Sequence, residues 1–233
     1  MEIMLRTLRE GLPQLGLQLD EDRINTLCQF GCGVVKQNEV MNLTAITEPA
    51  QVAILHLADC VSLLKVADLK GKKLIDVGCG AGFPGVPLKI ACPETELTLL
   101  DSLGKRMHWL EEILPTLGVE ASYIIGRAEE ALEGRREQYD FATSRAVARL
   151  NILLELTAPY VKVGGKVLAM KGAAAEEELQ EAKGAIKKLG LQLEGIHTFP
   201  LDGTAHNVIV FRKVSPTPSQ YPRRYSKMKQ SPL

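Results

Sequence analysis

Lys73-Leu-Ile-Asp76-Val-Gly78-Cys-Gly80-Ala-Gly82-Phe83-Pro84-Gly85-Val-Pro87 is the stretch that decides the fold. Residues 73 to 77 are a short apolar run bounded by turn formers, the pattern of a buried parallel strand. Gly78, Gly80 and Gly82 let the backbone turn sharply and approach a ligand closely. Pro84 and Pro87 are tolerable only in the first turn of the helix that follows. A strand, a glycine turn and a helix N-terminus together make a crevice for a nucleotide-type ligand. The spacing is Gly-x-Gly-x-Gly, not the dinucleotide fingerprint, and Asp76 stands two positions before the first glycine. Asp101 closes the next apolar strand, 96 to 100, about 20 residues further on, where a carboxylate can accept both ribose hydroxyls. These features predict a nucleoside-bearing cofactor.

Outward from this stretch, strand and helix alternate, which implies a mainly parallel sheet covered on both faces. Ser102 is a candidate N-cap for a helix over 103–117, whose Lys105, Arg106 and Trp109 lie near the crevice mouth or cover the sheet. Strands are expected at 122–126, 139–144 and 166–170, with Gly164-Gly165 turning into the last of these and a helix over 150–160. A further helix over 175–189 opens with Glu176 to Glu178 and closes with Lys187 and Lys188, complementing its dipole. Two final strands, 191–199 and 207–213, pair antiparallel at an edge through Asp202-Gly203.

Before the core, residues 2 to 66 read as helical. Ile3, Leu5, Leu8 and Leu12 make a short amphipathic segment, and Asp20 is the N-cap of a longer helix. A loop over 38–47 precedes a third helix opened by Glu48-Pro49. His56 and Asp59 share one face of that helix, the spacing of a local bond between helix and loop, which is favoured, or of a catalytic pair. The division expected is a helical extension over 1–66, a core over 67–214 and a basic tail over 215–233. That tail carries Arg223, Arg224, Lys227 and Lys229 with Tyr221 and Tyr225 interleaved, as either a loose end or an RNA contact.

Of 233 residues, 28 are basic and 28 acidic, so nucleic-acid binding needs local basic patches. Five cysteines without framework spacing suggest a reducing cytosol, and no second Cys or His pair completes a metal site with Cys28 and Cys32. No apolar run is long enough to span a bilayer. A cytoplasmic, metal-free monomer is expected.

Asp76-Val-Gly-Cys-Gly-Ala-Gly-Phe-Pro-Gly85, Leu100-Asp-Ser-Leu-Gly-Lys-Arg106, Gly126-Arg-Ala-Glu-Glu130 and Ser144-Arg-Ala146 together resemble the class I S-adenosylmethionine methyltransferases. With Asn42-Leu-Thr-Ala-Ile46, His56-Leu-Ala-Asp59 and Tyr221-Pro-Arg-Arg224 they resemble one bacterial family, the small-subunit ribosomal RNA methyltransferase G family, also called glucose-inhibited division protein B. The resemblance implies a Rossmann-like α/β fold with a seven-stranded, mostly parallel sheet. It implies methylation of guanine N7 in the decoding-region loop of 16S rRNA, with the 30S subunit as partner. It carries cofactor roles onto Gly78, Gly80, Gly82, Phe83, Asp101, Ser102, Ala128 and Glu129. Arg145 is placed beside both cofactor and target base, as the candidate catalytic residue. Lys105, Arg106, Arg149, Arg223, Arg224 and Lys227 are the candidate RNA contacts. Cys60, Ser226 and Gln230 depart from the family's usual serine, glycine and lysine.

What is missing fits this reading. Where exocyclic-amine methyltransferases carry an Asn/Asp-Pro-Pro-aromatic motif, this chain has Ser144-Arg145-Ala146-Val147, and no cysteine follows strand four or five to activate a pyrimidine ring. Guanine N7 has a free lone pair and no proton to lose. A methyltransferase acting on another RNA, a nicotinamide oxidoreductase and a non-catalytic ribosome-binding protein that holds the cofactor are the alternatives. Arg145 is expected either to orient the base or to pair with a helix carboxylate such as Glu129.

Overall fold

The computed structural model describes residues 1–201 and 203–233; Asp202, assigned above to the last turn, lies outside the described residues. Strands β1 (Lys73–Val77), β2 (Glu96–Asp101), β3 (Ser122–Ile125), β4 (Tyr139–Arg145), β5 (Val161–Lys171), β6 (Leu191–Leu201) and β7 (Thr204–Lys213) form one sheet in the order β3-β2-β1-β4-β5-β7-β6. The first five pair in parallel, and β7 is antiparallel to both β5 and β6. The order reverses between β1 and β4, which opens a crevice at the carboxyl ends of those strands.

Side chains alternate along each strand, so the sheet divides two cores. Leu74, Leu97, Leu99, Val208 and Val210 face one, which also holds α1 (Glu2–Gln14), α2 (Glu21–Met41), α4 (Gly85–Ala91) and α5 (Gly104–Thr116). Packed there too is α3, which begins as Pro49–Gln51, widens into a π-helical stretch Val52–Ala58, and closes through Asp59–Val61 and a 3₁₀ turn Ser62–Lys65. Ile75, Val77, Leu100, Ile209 and Phe211 face the other core, with α6 (Leu150–Thr157), α7 (Ala175–Glu181), α8 (Lys183–Lys188) and α9 (Tyr225–Gln230). Hence the N-terminal helices cover one sheet face and the C-terminal tail helps cover the other.

The caps at Asp20 and Glu48 form as the sequence predicts, accepting from the amides of Arg23 and Gln51. Several expectations are corrected. The buried stripe of α1 is Met4, Leu8 and Leu12, with Ile3 exposed. Helix α2 continues to Met41, shortening the loop before α3. Ser102 caps nothing: α5 begins at Gly104, and Asp101 Oδ1 accepts from the Leu103 amide at 2.8 Å instead. Gly164 and Gly165 lie inside β5, at an irregularity in its pairing with β4, where a Cβ on Gly165 would overlap the Asp140 carbonyl. The helix expected over 175–189 breaks at Ala182, and the chain's last residue, Leu233, packs against Gly184 of its second half. Trp109 is buried beside Phe30 and covers the sheet.

The tail is built into the fold and is not a loose end. Met228 is fully buried and Tyr221 nearly so; burying a side chain of that size contributes about 1.5–3 kcal/mol. Arg223 grips Glu155 of α6, with Nη2 2.6 Å from Oε2 and both its amide and Nε 2.8 Å from Oε1. Arg136 donates to the carbonyls of Thr217 and Tyr221. The fully buried Lys213 donates to Ala158 O and Val161 O and pairs with Glu137, whose Oε1 accepts the Thr217 amide. Removing one partner of a buried ion pair strands the other. Arg223→Ala is therefore expected to lower unfolding stability by about 3 kcal/mol and to expose the tail to protease. Urea titration and limited proteolysis measure both effects, and an unchanged midpoint would mean that Glu155 does not hold the tail.

Candidate active site

A crevice of about 1110 Å³ opens at the carboxyl edge of the sheet, between the glycine turn, the segment after β3, the segment after β4 and the loop before α3. Gly78 and Gly80 sit on its floor at φ +72° and +57°, a conformation that excludes most side chains. A Cβ on Gly78 would fall 2.5 Å from Val147 Cγ2, so the turn and the segment after β4 close on one another only because no side chain intervenes. Asp101 at the end of β2 accepts from the Gly80 amide (2.9 Å) and the Leu103 amide (2.8 Å), one on each side. Each carboxylate oxygen keeps a lone pair for a ligand hydroxyl. Ser102, Ala128 and Glu129 also line the crevice, and the Ala128 carbonyl accepts from Tyr160 Oη at 2.7 Å. Gly82 does not line it. Its position is a packing one, where a Cβ would strike Val86, Leu110 and Phe30.

Asp76 faces away from the crevice. Its Oδ2 accepts from the Gly85 amide at 2.7 Å, its Oδ1 has no hydrogen-bond partner, and burial pushes the carboxyl up to about 7. The acid before the first glycine thus ties the turn to α4.

Arg145, at the end of β4, is the centre of a polar cluster. Nη1 donates to Leu55 O (3.1 Å) and lies 3.4 Å from Asp59 Oδ2; Nη2 is 3.1 Å from His56 Nδ1; the guanidinium stands 4.9 Å from the centre of the Phe83 ring. The carboxylate partner is Asp59, not Glu129, because α3 is packed over the end of β4 while Glu129 is beside Arg127. On its other side Asp59 pairs with His206 Nδ1 at 3.1 Å, which raises the His206 pKa. His56 stacks on Phe83 with ring centres 4.8 Å apart, and its Nε2 meets Thr44 Oγ1 at 2.7 Å. The expected bond between helix and loop is present, and the cation adds to it. Burial, then the charge of Arg145, lowers the His56 pKa to about 4, so the ring is neutral.

Of the basic residues singled out, Arg106 and Arg149 line the crevice, while Lys105, Arg224 and Lys227 are exposed outside it. Arg106 donates to Asn42 O. Arg149 is paired with Glu177 and Glu181 at 2.9 and 2.7 Å, and Arg223 with Glu155. The sequence reading did not place Thr44, Lys171, His206 and Asn207 at the site, yet all four line the crevice. Lys171 ends β5 and pairs with Glu178 at 2.8 Å. Its position at a strand's carboxyl end was the available signal; nothing local marked His206, which arrives on the antiparallel strand.

A sheet in this order, with a glycine floor and a carboxylate at the end of β2, defines a class I S-adenosylmethionine-dependent methyltransferase. Solved structures agree on the fold. M. jannaschii TYW2 in complex with AdoMet superposes with a TM-score of 0.56 at 14% identity, over 68% of this chain and 76% of that one. TrmN from Thermus thermophilus gives 0.53 at 18%, over 66% and 48%. The family model for GidB, rRNA small subunit methyltransferase G, matches residues 23–206. Proteins named ribosomal RNA small subunit methyltransferase G from Alkaliphilus oremlandii and Alkaliphilus metalliredigens are 44% and 41% identical, each over 97% of both chains, and that of Clostridium perfringens is 39% identical over the same shares. This chain belongs to the rRNA small subunit methyltransferase G family.

Two buried groups oppose one another in acid. A depressed His56 contributes stability that is present above its ordinary 6.5 and lost as pH falls to about 4; a raised Asp76 contributes stability that is present below 3.8 and lost as pH rises to about 7. Relative to the parent protein, His56→Gln is therefore expected to gain stability as pH falls through this window, and Asp76→Asn to lose it. The limiting slope is about 1.4 kcal/mol per pH unit for one proton. Urea midpoints across the window read both tilts, and parallel profiles for the three proteins would remove these groups from the acid response.

Proposed function

We propose that this protein methylates N7 of a guanine in the decoding-region loop of 16S rRNA, using S-adenosylmethionine and acting on the 30S subunit. The names of its relatives support the RNA, and the crevice supports the cofactor. Asp101 is suited to the ribose hydroxyls, the backbone at Gly78 and Gly80 to close approach, and the segment at Ala128 and Glu129 to the adenine. When bound, S-adenosylmethionine supplies an electrophilic methyl group on a positively charged sulfur.

The observation that carries the reading is the fixed guanidinium of Arg145 in a site with no base or nucleophile. His56 turns Nδ1 to both Arg145 and the Leu55 carbonyl, and burial, then the charge of Arg145, lowers its pKa to about 4, which makes it a poor base. Cys79, the thiol at the crevice floor, is buried and held well above its ordinary pKa, so it is no thiolate nucleophile. A reaction at N7 needs neither group, since the lone pair is free and no proton leaves. The residues have only to orient the base and keep water out. Arg145 can do the first with a planar, always-charged group whose remaining N–H donors match a guanine edge or a phosphate. Asp59 offsets its charge, so that a cationic cofactor can enter beside it.

Single-turnover methylation of 30S subunits at saturating cofactor, with N7-methylguanine located by borohydride and aniline cleavage, tests this. Arg145→Ala is expected to reduce the rate by about 10²-fold or more without loss of fold, and Arg145→Lys to rescue it poorly. A folded Arg145→Ala protein with the parent rate would leave the arginine as a tie between α3 and β4, and the absence of N7-methylguanine would end the proposal.

For RNA docking, the ion pairs redistribute the candidates: Lys105, Arg224 and Lys227 are the exposed cations, with Arg106 at the crevice wall. Lys105→Ala and Arg224→Ala are each expected to flatten the salt dependence of RNA binding by about 0.7 in log–log slope, and Arg149→Ala to leave it nearly unchanged. Filter binding across a salt series measures the slopes; equal effects from all three would mean that the Arg149 pairs open to phosphate.

A further inference from the structure

The charge of Arg145 stands beside the glycine turn. Its guanidinium is 4.9 Å from the centre of the Phe83 ring, in the same turn, and a Cβ on Gly78 would strike Val147, two residues after the arginine. Arg145, Gly78, Gly80 and Phe83 all line the crevice. An arginine is always charged, so a cofactor that is itself a cation at sulfur has to enter beside a fixed positive charge. The Asp59 carboxylate lines the crevice too, 3.4 Å from Arg145 Nη1 and 3.1 Å from His206 Nδ1. The Asp59 side chain is 5% exposed and that of Arg145 18%, so water screens neither fully. His56 also meets the arginine, but burial and that same charge keep its ring neutral, and it offsets nothing. Among the described residues, Asp59 is the one carboxylate paired with the guanidinium.

We infer that Asp59 sets the preference of this site between S-adenosylmethionine and its spent form, S-adenosylhomocysteine. The two differ by a methyl group and by one positive charge, because the carbon–sulfur bond breaks with its electron pair left on sulfur. With the carboxylate in place, Arg145 offers its donors with little net field, and the cationic form is accepted. Without the carboxylate, the bare guanidinium repels the sulfonium and leaves binding of the neutral thioether unchanged. Asp59 acts through Arg145 and is a specificity-determining residue that need not touch the methyl group. The inference rests on the cofactor and is independent of which base is methylated.

Isothermal titration at about pH 8, without RNA, compares S-adenosylmethionine, S-adenosylhomocysteine and sinefungin, whose ammonium replaces the methylsulfonium. In Asp59→Asn the Kd of S-adenosylmethionine relative to that of S-adenosylhomocysteine is expected to rise about 10-fold, the effect of one uncompensated charge in a partly screened site. Sinefungin is expected to weaken with the cationic cofactor. Arg145→Met should lower the same ratio, and the double variant should return it toward that of the parent. Equal weakening of all three ligands would make Asp59 a structural tie between α3, β4 and β7 and overturn the inference. Sinefungin following S-adenosylhomocysteine would also overturn it, since methyl bulk and not charge would then be read. If Asp59→Asn loses its cooperative melt, Arg145→Met decides: a lowered ratio sustains the inference and an unchanged one overturns it. With RNA absent, a failure to find N7-methylguanine leaves these titrations standing, and they can fail while N7-methylguanine still forms.

Discussion

Arg145 is a cation with five donors and no acceptor, and its placement at the end of a buried strand constrains everything around it. It has to be met by acceptors, and the chain supplies them from a single element: the Leu55 carbonyl, the Asp59 carboxylate and the His56 ring nitrogen all lie on α3. The π-helical stretch Val52–Ala58 spans the first and third of these. Wider helical turns of this kind often mark functional sites, and here the stretch runs beside the crevice. The N-terminal helices are therefore part of the site, since they provide both the neutralising carboxylate and the ring that fixes the loop at Thr44.

Electrostatic compensation recurs among the buried charges of the described residues. Glu155 is met by Arg223, Lys213 by Glu137 and two carbonyls, Lys171 by Glu178, and Asp59 by Arg145 and His206. The pairs join segments distant in sequence. Unpaired, each charge would cost several kcal/mol, so they specify which segments meet. Asp101 is met by two backbone amides instead, and Asp76 has one oxygen bonded to Gly85 and the other to nothing. Burial raises the pKa of Asp76, and the one amide bond only partly offsets it. The chain carries zero net charge, and while these pairs hold some cations inward, Lys105, Arg224 and Lys227 remain exposed.

The strand–glycine–helix unit was legible because its signals are local. An apolar run, left-handed glycines and helix-opening prolines act within about one turn of chain, as do the caps at Asp20 and Glu48. Strand boundaries held to within a few residues for the same reason, except in β5, where a bulge lets glycines continue a strand. Misread segments have two causes. The break at Ala182 lies beside the distant Leu233, whereas at Ser102 a competing local bond wins, the neighbouring Asp101 accepting from the Leu103 amide.

By itself, the sequence determined the fold class, the position of the glycine turn and the acid at the end of β2. All of these follow from residue type at a fixed place in a strand–helix repeat. The family followed as well, from motifs spread over most of the chain. Only tertiary structure decided what Arg145 binds, which arginines meet carboxylates and whether the tail is ordered. Each depends on a partner tens of residues away, and on whether packing brings an acceptor to within about 3 Å of a donor.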